Sequence, residues 1–355
     1  MRHNGPRFSR AGQQGSAPSS QPTRTAAPDD EAPLPVVVVG LGAIGREVAA
    51  CALLHPDLEL VGAADPRFAG KPLRELVDGA PDLRVAESGA ALYRKAKGGV
   101  ALLCTGSLLE DVAEEIEVAV RAGLHVVSSC EELSNAGFVD PELADLLDRA
   151  AQRAGVAVLG TGVNPGFVLD RLPATLGAVV GEVRRVEALR VVDVATRREA
   201  LRRKVGLGLT EEEFERQGDE GTIGHVGLSE SCALLADGLG LTVDEIEEEI
   251  DPLVAEQALT VGDLRVEAGR VRGLRQVAMA FDEGREVARL TLEMGLGLPE
   301  PRDWFRIEAD PPLEMLIPGG IPGDRATAWA LVNAAPRVAG SEAGLLSVLD
   351  LPAGR

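Results

Sequence analysis

Short apolar runs alternate with amphipathic stretches through the first half of this chain. Val36-Val37-Val38-Val39 running into Gly40 predicts a buried strand at 36–40, and the pattern behind it predicts a helix over 43–54. The same reading places strands at 58–64, 99–103, 124–128 and 155–160, and helices at 108–122 and 141–153, with a short helix at 71–79. Pro141 opens the helix 141–153, a position where its missing N–H is no loss. Strand–helix alternation on this scale implies parallel strands joined by right-handed crossovers, hence an α/β fold with a doubly wound Rossmann domain.

The rhythm changes in the second half. Residues 183–193, 263–269, 271–282 and 287–296 read as longer strands, several alternating with period two, which suits an α+β domain with a mixed or antiparallel sheet. Helical patterns fall at 210–217, 228–237 and 242–256. The acidic run Asp244–Asp251 carries Ile246, Ile250, Leu253 and Val254 at helical spacing and is expected to be a solvated helix face rather than a metal site. A last helix, Asp324–Arg337, is expected to pack back on the first domain. The expected division is therefore a tail at 1–33, a dinucleotide domain at 34–165, a substrate and oligomerisation domain at 166–320, and a closing segment at 321–355.

Residues 1–33 are rich in Ser, Pro, Gln, Gly and Arg and nearly devoid of large apolar side chains, so they cannot offset the entropy of ordering. Their Arg/Ser content faintly resembles an organelle transit peptide; a disordered bacterial tail or an over-extended start is the preferred reading. The fold is expected to begin near Leu34.

Gly40-Leu41-Gly42-Ala43-Ile44-Gly45 is a G-x-G-x-x-G turn with a strand before it and a helix after it. Gly40 makes the tight turn, Gly42 lets backbone approach a pyrophosphate, and Gly45 lets helix and strand pack closely. The N–H groups at the helix start, at Ala43 and Ile44, then face the phosphates. Asp65 closes the next strand, where an acid accepts hydrogen bonds from an adenosine ribose. A glycine-rich turn that binds nothing is the plain alternative. Asp65 favours NAD, because a carboxylate repels a 2′-phosphate; Arg67 leaves NADP open, either holding that phosphate or standing as a solvated surface arginine.

Charge and composition narrow the rest. The 355 residues carry a net charge of −20, which argues against nucleic-acid and anionic-membrane partners. This outweighs the basic set Arg197, Arg198, Arg202, Arg203 and Lys204, which has no interleaved aromatics. Four cysteines without C-x-x-C spacing read as buried apolar residues in a reducing, cytoplasmic compartment. Four histidines without ligand spacing make a metal site an unattractive reading.

In a doubly wound sheet the strand ends gather around one crevice. Thr105 and Ser107 are expected to touch the cofactor there. Ser128-Ser129-Cys130-Glu131-Glu132-Leu133 brings two carboxylates to a strand end, where desolvation and mutual repulsion suit a proton shuttle; helix capping by one of them is the bland alternative. Gly160-Thr161-Gly162-Val163-Asn164-Pro165-Gly166-Phe167 reads as tight turns against something that comes close, or as a hinge between domains. Asn164 both donates and accepts, and fits a carboxamide or a polar substrate group.

GLGAIG, SSCEEL, GTGVNPGF with LDRLP, RREALRRKVGLGLTEEEF, GHVGLSES and the closing LVNAAPRVAGSEAGLLSVLDLP together resemble the NAD(P)-dependent amine dehydrogenases related to 2,4-diaminopentanoate dehydrogenase, a branch of the dihydrodipicolinate reductase-like fold. The resemblance spans about residues 34–352. It departs from true dihydrodipicolinate reductases, whose His-rich, Lys-bearing stretch is replaced here by ATRREALRRKVGLGL, so a cyclic dicarboxylate substrate is not expected. The resemblance implies reversible hydride transfer between a nicotinamide and an amine-bearing carbon, with an amine or ketone and ammonia as small-molecule partners. It implies Glu131 as the functional acid and a homodimer. Asn164 is expected beside it, with Glu132, Val163, Phe167 and His225 around the substrate; a lone histidine such as His225 is as readily structural. Reduction of a cyclic imine or ene acid, and a non-catalytic NAD(H) sensor, are the rival functions.

Overall fold

The computed structural model describes residues 32–195, 199–352 and 354; the expected tail (all but its last residues) and Arg197 and Arg198 lie outside the described residues. Two six-stranded sheets dominate. The first is built from β1 (Leu34–Val39), β2 (Leu58–Ala64), β3 (Val100–Leu103), β4 (His125–Ser128), β5 (Ala157–Gly160) and β14 (Gly344–Leu346). Its order is β14-β5-β4-β3-β1-β2 and every pair is parallel. This is the doubly wound Rossmann sheet that the alternation predicts. β3 and β5 are buried along their whole length, as parallel strands covered on both faces must be. The chain leaves β1 for β2 on one side and later returns to β3 on the other. The turn after β1 and the loop after β3 therefore flank the topological switch point, where such sheets bind ligands.

The second sheet contains β6 (Arg185–Asp193), β7 (Glu245–Val254), β10 (Val271–Asp282), β11 (Arg285–Gly295), β12 (Arg302–Glu308) and β13 (Leu313–Pro318). Its order is β13-β12-β6-β11-β10-β7, and only β6 and β11 run parallel, so the sheet is mixed. β8 (Leu259–Val261) and β9 (Leu264–Val266) form a separate hairpin; of the strand expected at 263–269, only Leu264–Val266 is strand, as one arm of it.

Three expectations need correction. The acidic stretch 242–256 contains an edge strand, β7, paired antiparallel to β10, not a helix. Ile246 and Ile250 lie four apart, a spacing that period two and period 3.6 share. Both isoleucines pack on the core of the second sheet, and Glu248 between them accepts from Gln276 Nε2 and Ser229 Oγ. The helix expected at 71–79 is a single 3₁₀ turn, Leu73–Glu75, entered through Pro72. β12 and β13 have no counterpart in the sequence reading. Asp303 occupies an inward position of β12 beside Phe305 and Ile307, which breaks the apolar alternation.

The closing segment forms a helix, Gly323–Ala339, whose Leu331 and Val332 share a core with Val36, Val38 and Leu102 under the first sheet. It then adds β14 as the sheet's sixth strand. Among the described residues no helix is long and apolar enough to cross a membrane.

Candidate active site

A cleft of about 320 Å³ opens at the carboxyl ends of the first sheet, with the second sheet as its far wall. One end is the glycine turn. Gly40 has φ +88°, and a Cβ there would sit 2.5 Å from the Cys104 carbonyl oxygen. A Cβ on Gly45 would sit 1.7 Å from the Gly40 oxygen. These two glycines shape the turn and are absent from the cleft lining. Gly42 is different: a Cβ there would meet nothing nearer than Arg67 Nη2 at 3.9 Å, and Gly42, Ala43 and Ile44 line the cleft at the start of the helix Ala43–Leu54. Open space over a glycine, at a helix N-terminus, is the cradle that a pyrophosphate fits.

Asp65 does not line the cleft; it is buried behind the turn. Its carboxylate accepts the Leu41 N–H at 2.8 Å and three N–H groups of Arg67, at 2.8 to 3.1 Å. These hydrogen bonds, the Arg67 side chain's first, hold its pKa at about 2. Arg67 is largely exposed. Its guanidinium, that of Arg46 and the Lys71 ammonium all approach the Phe68 ring, at 5.5, 5.5 and 5.6 Å.

Thr105 and Ser107, from the loop after β3, line the middle of the cleft, as do Ser129 and Glu131 after β4. The Glu131 carbonyl accepts from Ser134 Oγ at 2.5 Å, and Gly227 leaves room for its side chain: a Cβ on Gly227 would sit 3.1 Å from the Glu131 Cβ. Glu132 is turned away from the lining. It accepts the Leu109 N–H at 2.6 Å and so caps the helix Leu109–Arg121, which has no other side-chain cap. The bland alternative thus describes Glu132, and the expectation that it meets substrate is corrected. Phe167 is corrected as well. Gly166 turns with φ +118°, Val168 goes into the core, and Phe167 stands exposed outside the cleft.

Val163 and Asn164 line the cleft after β5. Thr327 Oγ1, from the closing helix, accepts the Val163 N–H at 3.2 Å. Asn164 is anchored twice: its side-chain Oδ1 lies 3.3 Å from Ser231 Oγ, and its main-chain oxygen is 3.0 Å from His225 Nε2. The Ser231 hydroxyl also reaches the buried Asp170 at 2.8 Å. A carbonyl only accepts, so His225 Nε2 carries the proton. Burial pushes the His225 pKa down to about 4, and the charges of Lys204 and Arg190 add to this, so the ring is neutral near pH 7. Gln276 clamps the His225 backbone from both sides, at 2.8 Å each. Behind Glu131, the buried Glu230 carboxyl is pushed up to about 7, first by burial and then by Glu248, Glu132 and Glu131.

The far wall was not anticipated. Arg190 on β6 lines it, sharing a strand face with the core residues Val186 and Ala188. A charge at an inward parity position was the available signal. Directly across the ladder stands Asp303, which accepts from Arg190 Nη1 at 2.7 Å; the Ile321 carbonyl takes Nη2 at 2.7 Å. Lys204 and Leu201, from the helix Glu199–Lys204, and Asp324 and Thr327, from the closing helix, complete the rim.

Comparison with known proteins agrees with this geometry. Residues 167–355 match the family of the 2,4-diaminopentanoate dehydrogenase C-terminal domain. The chain is 30% identical over 336 residues to 2,4-diaminopentanoate dehydrogenase of Acetoanaerobium sticklandii, covering 90% of this chain and 94% of that one. It is 25% identical over 344 residues to an amine dehydrogenase of Streptomyces virginiae, covering 89% and 95%. Its fold superposes on an amine dehydrogenase structure from Mycobacterium smegmatis with a TM-score of 0.79, at 23% identity, covering 91% of this chain and 97% of the other. The chain belongs to the 2,4-diaminopentanoate dehydrogenase family, and with it to the NAD(P)-dependent oxidoreductases that act on amines.

Proposed function

We propose that this cleft interconverts an amine or diamine with the corresponding ketone and ammonia, and that Glu131 is its proton carrier. The observation that carries the reading is that Glu131 lines the same cleft as the Gly42–Ile44 turn. A nicotinamide cofactor, when bound, supplies or accepts the hydride; Gly42, Ala43 and Ile44 hold its pyrophosphate, and Thr105 and Ser107 flank it. In the reductive direction Glu131 takes a proton from ammonium so that nitrogen can attack the ketone. It then assists loss of water from the carbinolamine, and its anion faces the iminium. The sum is ketone, ammonium and reduced cofactor giving amine, water and oxidised cofactor. Asn164, its Oδ1 turned towards Ser231, presents its amide N–H groups to the substrate oxygen, with Val163 and the neutral His225 as walls.

Small ketones with ammonia and NADH or NADPH, followed at the nicotinamide absorbance, test this. Turnover supports it; inactivity on every ketone and on diamines with both cofactors, or activity confined to dihydrodipicolinate, defeats it.

We infer that the protein uses both NAD and NADP, in place of the expected preference for NAD. Asp65 is the group that would repel a 2′-phosphate, but its oxygens are taken up by Leu41 and Arg67, and Arg46 and Lys71 add positive charge beside Phe68. Arg67→Ala is expected to weaken NADPH binding by roughly tenfold, the scale of a charge-assisted hydrogen bond, and to change NADH binding far less. Fluorescence titration of the two cofactors checks it; equal loss of both would contradict it.

A homodimer and a cytoplasmic location complete the proposal. The dimer reading is supported by a lateral row on the outer face of the second sheet, Val277, Thr291, Leu189, Trp304 and Leu316, which ends in the exposed Leu316. The location is supported by four free cysteines.

A further inference from the structure

We propose that Asp170 and Ser231 are positioning residues of the active site, a buried pair that fixes the direction in which the Asn164 amide enters the cleft. The inference rests on the amine dehydrogenase reading, in which that amide meets the substrate.

Asp170 is fully buried. One of its oxygens, Oδ1, accepts the Arg171 N–H at 2.5 Å and caps the short helix Arg171–Leu176. A cap needs only that oxygen and can stand in water. The other oxygen, Oδ2, accepts the Gly166 N–H and the Ser231 hydroxyl, at 2.8 Å each. The neighbouring Arg171 gives its Nη2 to the Leu351 and Pro352 carbonyls, and among the described residues no ion pair reaches the Asp170 carboxyl. Burial pushes the Asp170 pKa up, against its hydrogen bonds and the Arg171 charge. A buried acid without an ion pair is costly, and an apolar side chain would fill its space more cheaply. What the carboxyl adds is the order it imposes on Gly166 and Ser231.

Both of those bonds lead to Asn164. Gly166 closes the turn two residues after it, with φ +118° and no room for a Cβ, which would sit 2.4 Å from the Gly162 nitrogen. Ser231, on the helix Leu228–Gly238, is also fully buried and lies 3.3 Å from Asn164 Oδ1. Its hydroxyl has one hydrogen; Asp170 takes the larger share of it and Asn164 Oδ1 is the weaker branch. Among the described residues Ser231 is the only partner of the Asn164 amide, whereas His225 holds only the Asn164 main-chain oxygen. The direction of the amide thus depends on the serine, and the place of the serine hydroxyl depends on Asp170.

The test is a double-mutant cycle. Wild type, Ser231→Ala, Asn164→Ala and the double variant are assayed with ammonia, NADPH and small ketones from butan-2-one to cyclohexanone, and NADPH binding is measured by fluorescence. Ser231→Ala is expected to lower kcat/KM for the ketone by about 10- to 100-fold, the scale of a misplaced polar group, and to leave NADPH affinity within about twofold. In the Asn164→Ala background the same change is expected to cost less than about twofold, because the group it positions is already gone. A merely structural serine would cost the same in both backgrounds. Asp170→Asn, which leaves one carbonyl for three donors, is expected to repeat the loss and its suppression by Asn164→Ala; where that variant does not fold, Ser231→Ala decides. The crystal structure of Ser231→Ala is expected to show the Asn164 amide rotated away from its wild-type direction, with its main chain still held by His225. Additive losses, an amide that keeps its place, or a matching loss of NADPH affinity overturns the proposal. Any of these beside normal turnover by the wild type sinks this proposal alone. A displaced amide in Ser231→Ala, with a wild type inactive on every ketone and diamine, sinks the amine dehydrogenase reading and leaves the positioning of Asn164 standing.

Discussion

Glu131→Gln is expected to lower kcat by about 10²- to 10⁴-fold, the range for losing a positioned acid–base group. The amide keeps the size and polarity of the side chain but can neither take a proton from ammonium nor balance an iminium charge. The fold should tolerate it, because the amide fills the same space and the main-chain carbonyl still accepts from Ser134 Oγ. NAD(P)H affinity should stay within about twofold, since the phosphates are held at the glycine turn and no binding partner there is lost. Glu132→Gln is the control. That side chain caps a helix at Leu109, so its replacement should cost some stability and little turnover. Steady-state kinetics with cofactor titration reads both outcomes. A Glu131→Gln enzyme within tenfold of wild type would assign the proton transfer to another group, and a sensor would lose neither property.

Asp303→Ala is expected to destabilise the protein by about 3–5 kcal/mol, the cost of leaving a buried charge without its partner. Asp303 is 1% exposed and Arg190 4%. Asp303 accepts from Arg190 on one oxygen and from the Ile321 N–H on the other, at 2.7 Å each, while the Ile321 carbonyl takes the second arm of Arg190. Removing the carboxylate takes the anionic partner from a buried guanidinium and frees the segment that leads into the closing helix. Thermal unfolding should shift down by about 5–10 °C. Replacing both members, Arg190→Met with Asp303→Leu, should recover much of that loss, because no lone charge then stays buried. Thermal melts of the three variants decide it. A neutral Asp303→Ala would show that Arg190 is already solvated through the cleft.

The legible parts of the chain are those where one physical requirement rules. A parallel strand buried on both faces must be a continuous apolar run, so β1, β3, β4 and β5 stand out in the sequence. Gly40 and Gly45 are required by backbone crowding that the structure displays directly, and Gly42 by the open space it leaves for a phosphate. β7 was illegible because Ile246 and Ile250 fit both periods and only tertiary pairing with β10 settles the matter. β12 was hidden by Asp303, a residue placed for Arg190 rather than for strand propensity. β14 is three residues long and exists because β5 offers an edge. In the site, the strand ends converge as topology requires, and this gathers Thr105, Ser107, Glu131, Val163 and Asn164. Choosing between Glu131 and Glu132 depends on which one meets the Leu109 N–H, a contact 23 residues away that no local pattern encodes. Lys204 was visible as one of a basic set, but its place near His225 comes from the Gly224 N–H bonding the Lys204 carbonyl at the end of the helix Glu199–Lys204, a contact that no local pattern encodes.

The most direct test is a crystal structure of the protein with NAD(P)H and a ketone or amine in the cleft. The account predicts the nicotinamide ring on the same side of the cavity as the Glu131 carboxylate, with the reacting carbon between them and Asn164 within hydrogen-bonding reach. A nicotinamide bound elsewhere, or a Glu131 carboxylate turned out into bulk water away from the ring, would contradict it.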